Sequence, residues 1–201
     1  MNRVVFLYTG VLFSVLASFA GLVAVPKLQL AALEPVVDDQ GRSYPIEPSG
    51  LVAEGRAVYV SLGCLYCHSQ QVRPPGFGVD IDRGWGVRRT VARDHLFDAP
   101  PLFGTMRTGP DLANIGVRQP SDGWHLLHLF QPRATSPGST MPPYPFLFES
   151  RTIMVEIPGD ALQLPPEWEQ EGRAVVPTRQ AKALVAYLGS LNASHPLPEV
   201  K

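Results

Sequence analysis

Two cysteines in 201 residues are too few to staple a small disulfide scaffold, and there is no second pair to complete a cysteine-rich zinc site. Net charge is also scarce, since 17 basic side chains face 18 acidic ones. The resulting formal −1 offers no basic field for nucleic acid, and there is no acidic tail. Proline (21) and glycine (18) together stay short of the roughly 25–30% that marks a disordered chain. A hydrophobic fraction of 45% is enough to bury a core, and the length suits one domain with an appendage rather than a multidomain enzyme.

Charge is missing altogether from Val4 to Val25 (VVFLYTGVLFSVLASFAGLVAV). As a helix this run rises about 33 Å, enough to cross a hydrocarbon core of about 30 Å. A cleaved signal peptide is the rival reading, with Ser18-x-Ala20 as the small-residue site. The run exceeds an h-region of roughly 7–15 residues and continues past that site, so a retained anchor is expected. Gly10, Ser14 and Ser18 recur at i, i+4 and i+8, with Ala17 and Gly21 beside them. This is either a face for another membrane helix or the ordinary small-residue content of such segments. Residues 26–50 hold four prolines and no sustained period, and read as a semi-extended linker. The expected division is an anchor over 1–26, a linker over 27–50, a domain over 51–195 and a tail over 196–201.

Cys64-Leu65-Tyr66-Cys67-His68 carries the chemistry. C-x-x-C-H is the attachment pattern of c-type haem: each thiol bonds one vinyl group and the adjacent histidine reaches the iron. A thiol–disulfide pair is the alternative, but no βαβ pattern surrounds the motif. A sixth ligand has three candidates, Met106, Met141 and Met154. Met141 lies in Ser139-Thr140-Met141-Pro142-Pro143-Tyr144-Pro145, where prolines stiffen the loop and can present a thioether at small ordering cost. Met154 lies in an apolar stretch and reads as core filler. A His68/Met141 pair leaves no open iron position and suits electron transfer. In Arg107-Thr108-Gly109-Pro110-Asp111-Leu112, the Pro110 carbonyl is the candidate acceptor for the other ring N–H of His68.

Two helices frame the motif. The first runs over Leu51–Leu62 with Gly55, Tyr59 and Leu62 on one face. The second follows Thr178 as cap, with Ala181, Leu184, Val185, Leu188 and Leu191 in a stripe. Gly55 would let them cross closely, placing Tyr59 near Tyr187 or Leu188. A third helix starts at Ser121 or Asp122 and ends at Gln131-Pro132. His125 and His128 on it read as surface or interface histidines, because no further ligand follows at metal spacing. Arg73, Arg83, Arg88, Arg89 and Arg93 form a basic stretch that either neutralises haem propionates, Arg73 first, or docks an acidic partner. Residues 151–177 are Pro-rich and read as loop. The expected fold class is all-α: one N-terminal transmembrane helix, then a class I cytochrome c-like domain with long loops.

Together, Glu54-Gly55-Arg56-x-x-Tyr59, Gly63-Cys64-x-x-Cys67-His68-Ser69-Gln70-x-x-Arg73-Pro74, Arg107-Thr108-Gly109-Pro110-Asp111-Leu112, Ser121-Asp122-x-Trp124-His125-x-x-His128-Leu129-x-x-Pro132-Arg133 and Met141-Pro142-x-Tyr144-Pro145 resemble the membrane-anchored mono-haem subunit of cbb3-type cytochrome c oxidases. The resemblance spans about residues 50–149. It implies one covalent haem c on Cys64 and Cys67, ligated by His68 and Met141, with Pro110 orienting His68. It also implies electron relay from a di-haem cytochrome c subunit or a soluble cytochrome c. The acceptor would be the haem b of a catalytic haem–copper subunit that reduces oxygen to water. The implied setting is a bacterial inner membrane, with lipid around the single pass, the haem domain in the periplasm and no nucleic acid partner. The small cytochrome c subunit of a nitric oxide reductase and a free-standing anchored shuttle are the alternatives. Departures from the family are the arginine-rich segment Gly76–Arg93 and the loop-like 151–177.

Overall fold

The computed structural model describes residues 2–104, 106–154, 156–169 and 171–200. The chain forms two units, Met1–Pro45 with Ala92–Leu96, and Ile46–Val91 with Phe97–Lys201.

The first unit opens with helix α1 (Arg3–Phe19), capped by the Asn2 side chain on the Val4 N–H. It passes through a π-helical turn, Ala20–Ala24, into helix α2 (Val25–Leu30). Pro26 explains the irregularity: it lacks an N–H and its ring crowds the carbonyl four residues back, which the wider turn absorbs. Two hydroxyls in the run are satisfied locally, Thr9 on the Val5 carbonyl (2.8 Å) and Ser14 on that of Gly10 (2.9 Å). From Arg3 to Leu30 the helix is long and apolar enough to cross a membrane, and none of it is buried within the protein. A small hairpin follows, β1 (Val36–Val37) antiparallel to β2 (Ser43–Tyr44). Asp38 organises its turn, accepting from the N–H groups of Gln40 and Arg42 at 2.9 Å each. Gly41, at φ 75°, supplies the left-handed residue such a turn needs. The Tyr44 hydroxyl donates to Asp94 at 2.7 Å, tying in Ala92–Leu96.

The second unit is built on α3 (Gly50–Ser61) and α7 (Arg179–Ser190). They cross at Gly55, where an added Cβ would lie 1.9 Å from the Ala183 carbonyl oxygen and 2.7 Å from the Tyr187 Cβ. Glycine is required there for the two backbones to meet. The rings of Tyr59 and Tyr187 pack beside the crossing with centroids 5.4 Å apart. Thr178 caps α7 by accepting from the Ala181 N–H. Short α4 (Ile115–Arg118), α5 (Asp122–Phe130) and α6 (Pro132–Thr135) complete the helical set. Ser121 caps α5 on the Trp124 N–H, and Gln131-Pro132 ends it.

The all-α expectation is corrected by this structure. Helix accounts for 42% and strand for 8%, the strands lying in two small antiparallel sheets, so the fold is mixed. The second sheet pairs β3 (Phe148–Thr152) with β4 (Arg173–Pro177), in register from Phe148↔Pro177 to Thr152↔Arg173. Both strands fall in or beside the segment read as loop. Ala174, Val175 and Val176 form a short continuous apolar run that is buried outright, so β4 shows no alternation to announce it. A connection of some twenty residues, rather than a two-residue turn, also removes the usual hairpin signature. Phe148 and Val175 join Tyr59, Leu112, Leu129, Leu147, Leu184 and Leu188 in the core.

Candidate functional site

The α3 helix stops because Gly63 adopts φ 70°, its N–H returning to the Val60 carbonyl at 3.1 Å. The chain re-enters at once as a single tight turn, Cys64–Tyr66, and the N–H groups of Cys67 and His68 both reach the Cys64 carbonyl (3.2 and 3.0 Å). Both thiols and the imidazole therefore issue from one turn. Cys64 is half-buried and Cys67 exposed, and neither is in a disulfide.

A second segment is laid along this turn. The Gly109 N–H donates to the Cys67 carbonyl at 2.9 Å and the Leu112 N–H to that of Ser69 at 2.7 Å. The His68 Nδ1 lies 2.8 Å from the Pro110 carbonyl oxygen. A carbonyl can only accept, so Nδ1 carries the hydrogen and Nε2 keeps its lone pair. Gly109 makes room for the ring, since a Cβ there would sit 2.3 Å from His68 Cε1. Gly104, at φ 77°, passes as close to the His68 carbonyl oxygen, 2.3 Å from where its Cβ would be. Burial pushes the His68 pKa down, against the pull of the Pro110 hydrogen bond, so the ring is neutral and competent as a ligand.

Cys64, Cys67, His68, Pro110 and Met141 all line one cavity of about 500 Å³. Its apolar walls include Leu112, Leu184 and Leu188. That volume falls within the roughly 300–1,000 Å³ of small-molecule and cofactor sites. Met141 arrives on the proline-bounded loop, which is pinned where the Tyr144 N–H donates to the Leu129 carbonyl at 2.9 Å. Met106 and Met154 are 59% and 90% exposed and line no part of the cavity. Among the described residues, no group of three or more His, Cys, Asp or Glu is placed to hold a metal ion on its own. An imidazole, a thioether and two thiols around one apolar space fit a haem better than a bare cation. Burial also raises the Cys64 thiol to about 11, which leaves it a poor thiolate for disulfide exchange.

Arg73 is not brought to the cavity. Its guanidinium holds the fully buried Asp80, Nη2 to Oδ1 at 3.0 Å and Nε to Oδ2 at 3.2 Å, and its backbone N–H adds a bond to Oδ2 at 2.7 Å. Arg107 binds the same carboxylate. Burial alone would raise the Asp80 pKa, but the bonds from Arg73 and Arg107 outweigh it and hold the carboxyl well below its usual range. The Trp85 ring takes the guanidinium groups of Arg83 and Arg107 at 5.0 and 5.3 Å. Of the arginine-rich stretch, Arg73 is thus engaged by Asp80 and Arg88 is buried, whereas Arg83 and Arg89 remain exposed.

His125 and His128, read as surface or interface histidines, both line the cavity. His125 Nε2 meets the Gln119 carbonyl at 2.8 Å, and His128 Nδ1 meets Thr135 Oγ1 at 2.5 Å. Trp124, also on the wall, stacks on His128 at 4.7 Å and 7° and meets His125 edge-on at 5.3 Å. Burial, with the neighbouring His68 and His125, drives His128 down to about 4. Their i, i+3 spacing places both on one face but does not say what that face meets. Asp80, fully buried, carried no motif that marked it, and Asp111, also fully buried, lies in the Arg107–Leu112 motif with no role read for its side chain.

Two comparisons bear on this geometry. Residues 2–164 match the family described as cytochrome c oxidase, mono-heme subunit/FixO. A search of curated proteins finds no match.

Proposed function

Since this chain belongs to the mono-haem subunit family of cytochrome c oxidase, we propose that it is the electron-relay subunit of a cbb3-type haem–copper oxidase. As an oxidase subunit it works in a complex with other subunits, and its haem is the redox group. One observation carries the finer reading: Cys64, Cys67, His68 with its Nδ1 on Pro110, and Met141 converge on a single cavity.

In this reading Cys64 and Cys67 would hold the haem covalently, as a haem c, and His68 Nε2 and Met141 Sδ would ligate its iron. With imidazole and thioether as its ligands, such a haem would supply one-electron transfer at a raised potential. Pro110 fixes the ring plane and tautomer of His68. Leu112, Leu184 and Leu188 keep water from the site, which supports a raised potential. Oxygen reduction belongs to a catalytic subunit carrying haem b and copper, with a di-haem cytochrome c subunit or a soluble cytochrome c as donor. Covalent haem attachment is an extracytoplasmic process, so the haem domain faces the periplasm of a bacterial inner membrane. The apolar Arg3–Leu30 helix is the anchor. The domain boundaries, 1–26, 27–50, 51–195 and 196–201, express the same division of labour.

The test is purification of the tagged chain from native membranes in mild detergent. Haem b and copper should co-purify, with oxygen uptake driven by a reduced cytochrome. A product carrying haem c alone and consuming no oxygen would make the chain a free-standing shuttle, while haem b with non-haem iron and nitric oxide consumption would make it a nitric oxide reductase subunit.

A further inference from the structure

Asp111 follows the proline whose carbonyl holds His68, and its own side chain is fully buried. Oδ2 accepts from the Ser69 hydroxyl at 2.6 Å and from the Gln71 N–H at 2.8 Å. Oδ1 accepts from the Ala113 N–H at 2.9 Å. The Arg107 guanidinium lies 3.6 Å from Oδ2 and also donates to Ser69 Oγ at 2.8 Å. Arg118 donates to the Asp111 backbone carbonyl.

These bonds join two short segments. Residues 67–71 carry His68, and residues 109–113 carry its acceptor, Pro110. The carboxylate is their shared knot, reinforced by the Gly109–Cys67 and Leu112–Ser69 backbone bonds. Three donors converge on it, which suits an acceptor-only group; an asparagine amide would turn two N–H donors toward some of them. A charge in this position also does more than tie. Burying a carboxylate is costly unless it is well bonded, and its field then acts through a medium of lower dielectric than water. The carboxylate sits on the residue next to Pro110 and is tied to Ser69, the residue next to His68, so its charge lies one residue from each end of the His68–Pro110 bond.

We propose that Asp111 is a positioning residue for the proximal ligand: it fixes the His68–Pro110 hydrogen bond, and its charge lowers the reduction potential of the bound haem. The inference rests on His68 being an iron ligand. Negative charge near the iron favours the ferric state. A firmly held Nδ1–H hydrogen bond makes the imidazole more basic, which acts in the same direction. Arg107 and Arg118 offset part of this field, so the set point is a balance in which Asp111 is the negative member.

The experiment uses the full-length haem-loaded protein. Asp111→Asn should keep one covalent haem per chain, measured after denaturation, while its midpoint potential moves upward in a spectroelectrochemical titration. Asp111→Glu, which restores the charge, should bring the potential back toward that of the unaltered protein. A fully haem-loaded Asp111→Asn protein with an unchanged or lower potential overturns the proposal; a general loosening that admits water would lower it. If Asp111→Asn retains no haem, Ser69→Ala decides. It removes one donor from the carboxylate and should speed deuterium exchange of the His68 ring N–H several-fold, whereas an unchanged rate overturns the proposal. An unaltered chain without covalent haem would instead defeat the reading of His68 as ligand, which is a separate result.

Discussion

At the residue scale, Met141 and Gly109 bear most directly on the iron site. Met141 is the one described methionine on the cavity wall. Met141→Leu keeps volume and apolarity but removes the thioether, so the haem potential should fall and carbon monoxide should bind the reduced iron. An unchanged spectrum and potential would identify another axial ligand. Gly109→Ala would place a methyl 2.3 Å from His68 Cε1. Such overpacking costs about 1–3 kcal/mol, and here the strain falls on the ring itself. A changed axial-ligand signature in the electron paramagnetic resonance of the ferric protein is expected, with no comparable change for Gly123→Ala, where the Cβ meets only the Ser121 hydroxyl at 3.9 Å.

Asp80 belongs to the same scale. It is a buried carboxylate held by two arginines. Its folded pKa is lower than the unfolded value of about 3.9, so the unfolded chain takes up protons first as acid is added. The stabilisation is therefore complete above about pH 5 and is lost as pH falls through and below about 4. Asp80→Ala, which removes the carboxylate that Arg73 and Arg107 share, should cost about 1.5–3 kcal/mol in denaturant unfolding at pH 7. The variant should also lose part of the acid sensitivity, and an acid midpoint identical to that of the unaltered protein would contradict the assignment.

Among the elements, the crossing of α3 and α7 is the joint on which the cavity depends, because Tyr59 comes from one helix and Leu184 and Leu188 from the other. Gly55→Ala puts a methyl inside the van der Waals radius of the Ala183 carbonyl, where backbone rather than a flexible side chain must yield. A loss at or above the upper end of the roughly 1–3 kcal/mol overpacking range is expected, together with poorer haem retention. Removing the α7 cap by Thr178→Ala should cost only about 1 kcal/mol and leave the haem spectrum unchanged. The two variants separate a joint from a helix end.

These helices were legible in the sequence for identifiable reasons. Thr178 and Ser121 announce their helix starts, Gln131-Pro132 announces a stop, and the stripe Ala181–Leu191 has the helical period. Gly55 beside Tyr59 suggested a close crossing, and the two tyrosine rings do meet there. The sheets were not legible. The β4 strand is buried without alternation, and its partner Phe148–Thr152 is mostly polar and exposed, so neither carries a period-2 pattern. The hairpin β1–β2 is only two residues a side and depends on the side chain of Asp38.

At the scale of the whole molecule, C-x-x-C-H needs no tertiary information, because its chemistry lies within one turn. The convergence of Met141, Pro110, Trp124 and His128 on the same space is a product of long-range packing; local stiffness and the Gly-Pro turn point to the first two, Trp124 reads as a core or haem-pocket wall residue, and His128 has no such signal. Arg73 was read as facing the cofactor because its positive charge was visible, whereas the carboxylate that claims it, Asp80, is seven positions on in a loop with no periodic signal. Buried ion pairs of this kind escape pattern reading, since they depend on which loops fold back together. The family match extends over residues 2–164, and α7 lies beyond it, so the wall formed by Leu184 and Leu188 comes from outside the matched segment.

The central claim is that this one cavity holds a haem bonded to Cys64 and Cys67. The most direct measurement is the haem content of the denatured polypeptide, by haem-stained gel and alkaline pyridine spectrum, alongside a thiol titration. One haem migrating with each chain and no free thiols, with attachment impaired in Cys64→Ala and Cys67→Ala, is the predicted result. A denatured chain that carries no haem and titrates two free thiols would contradict the claim.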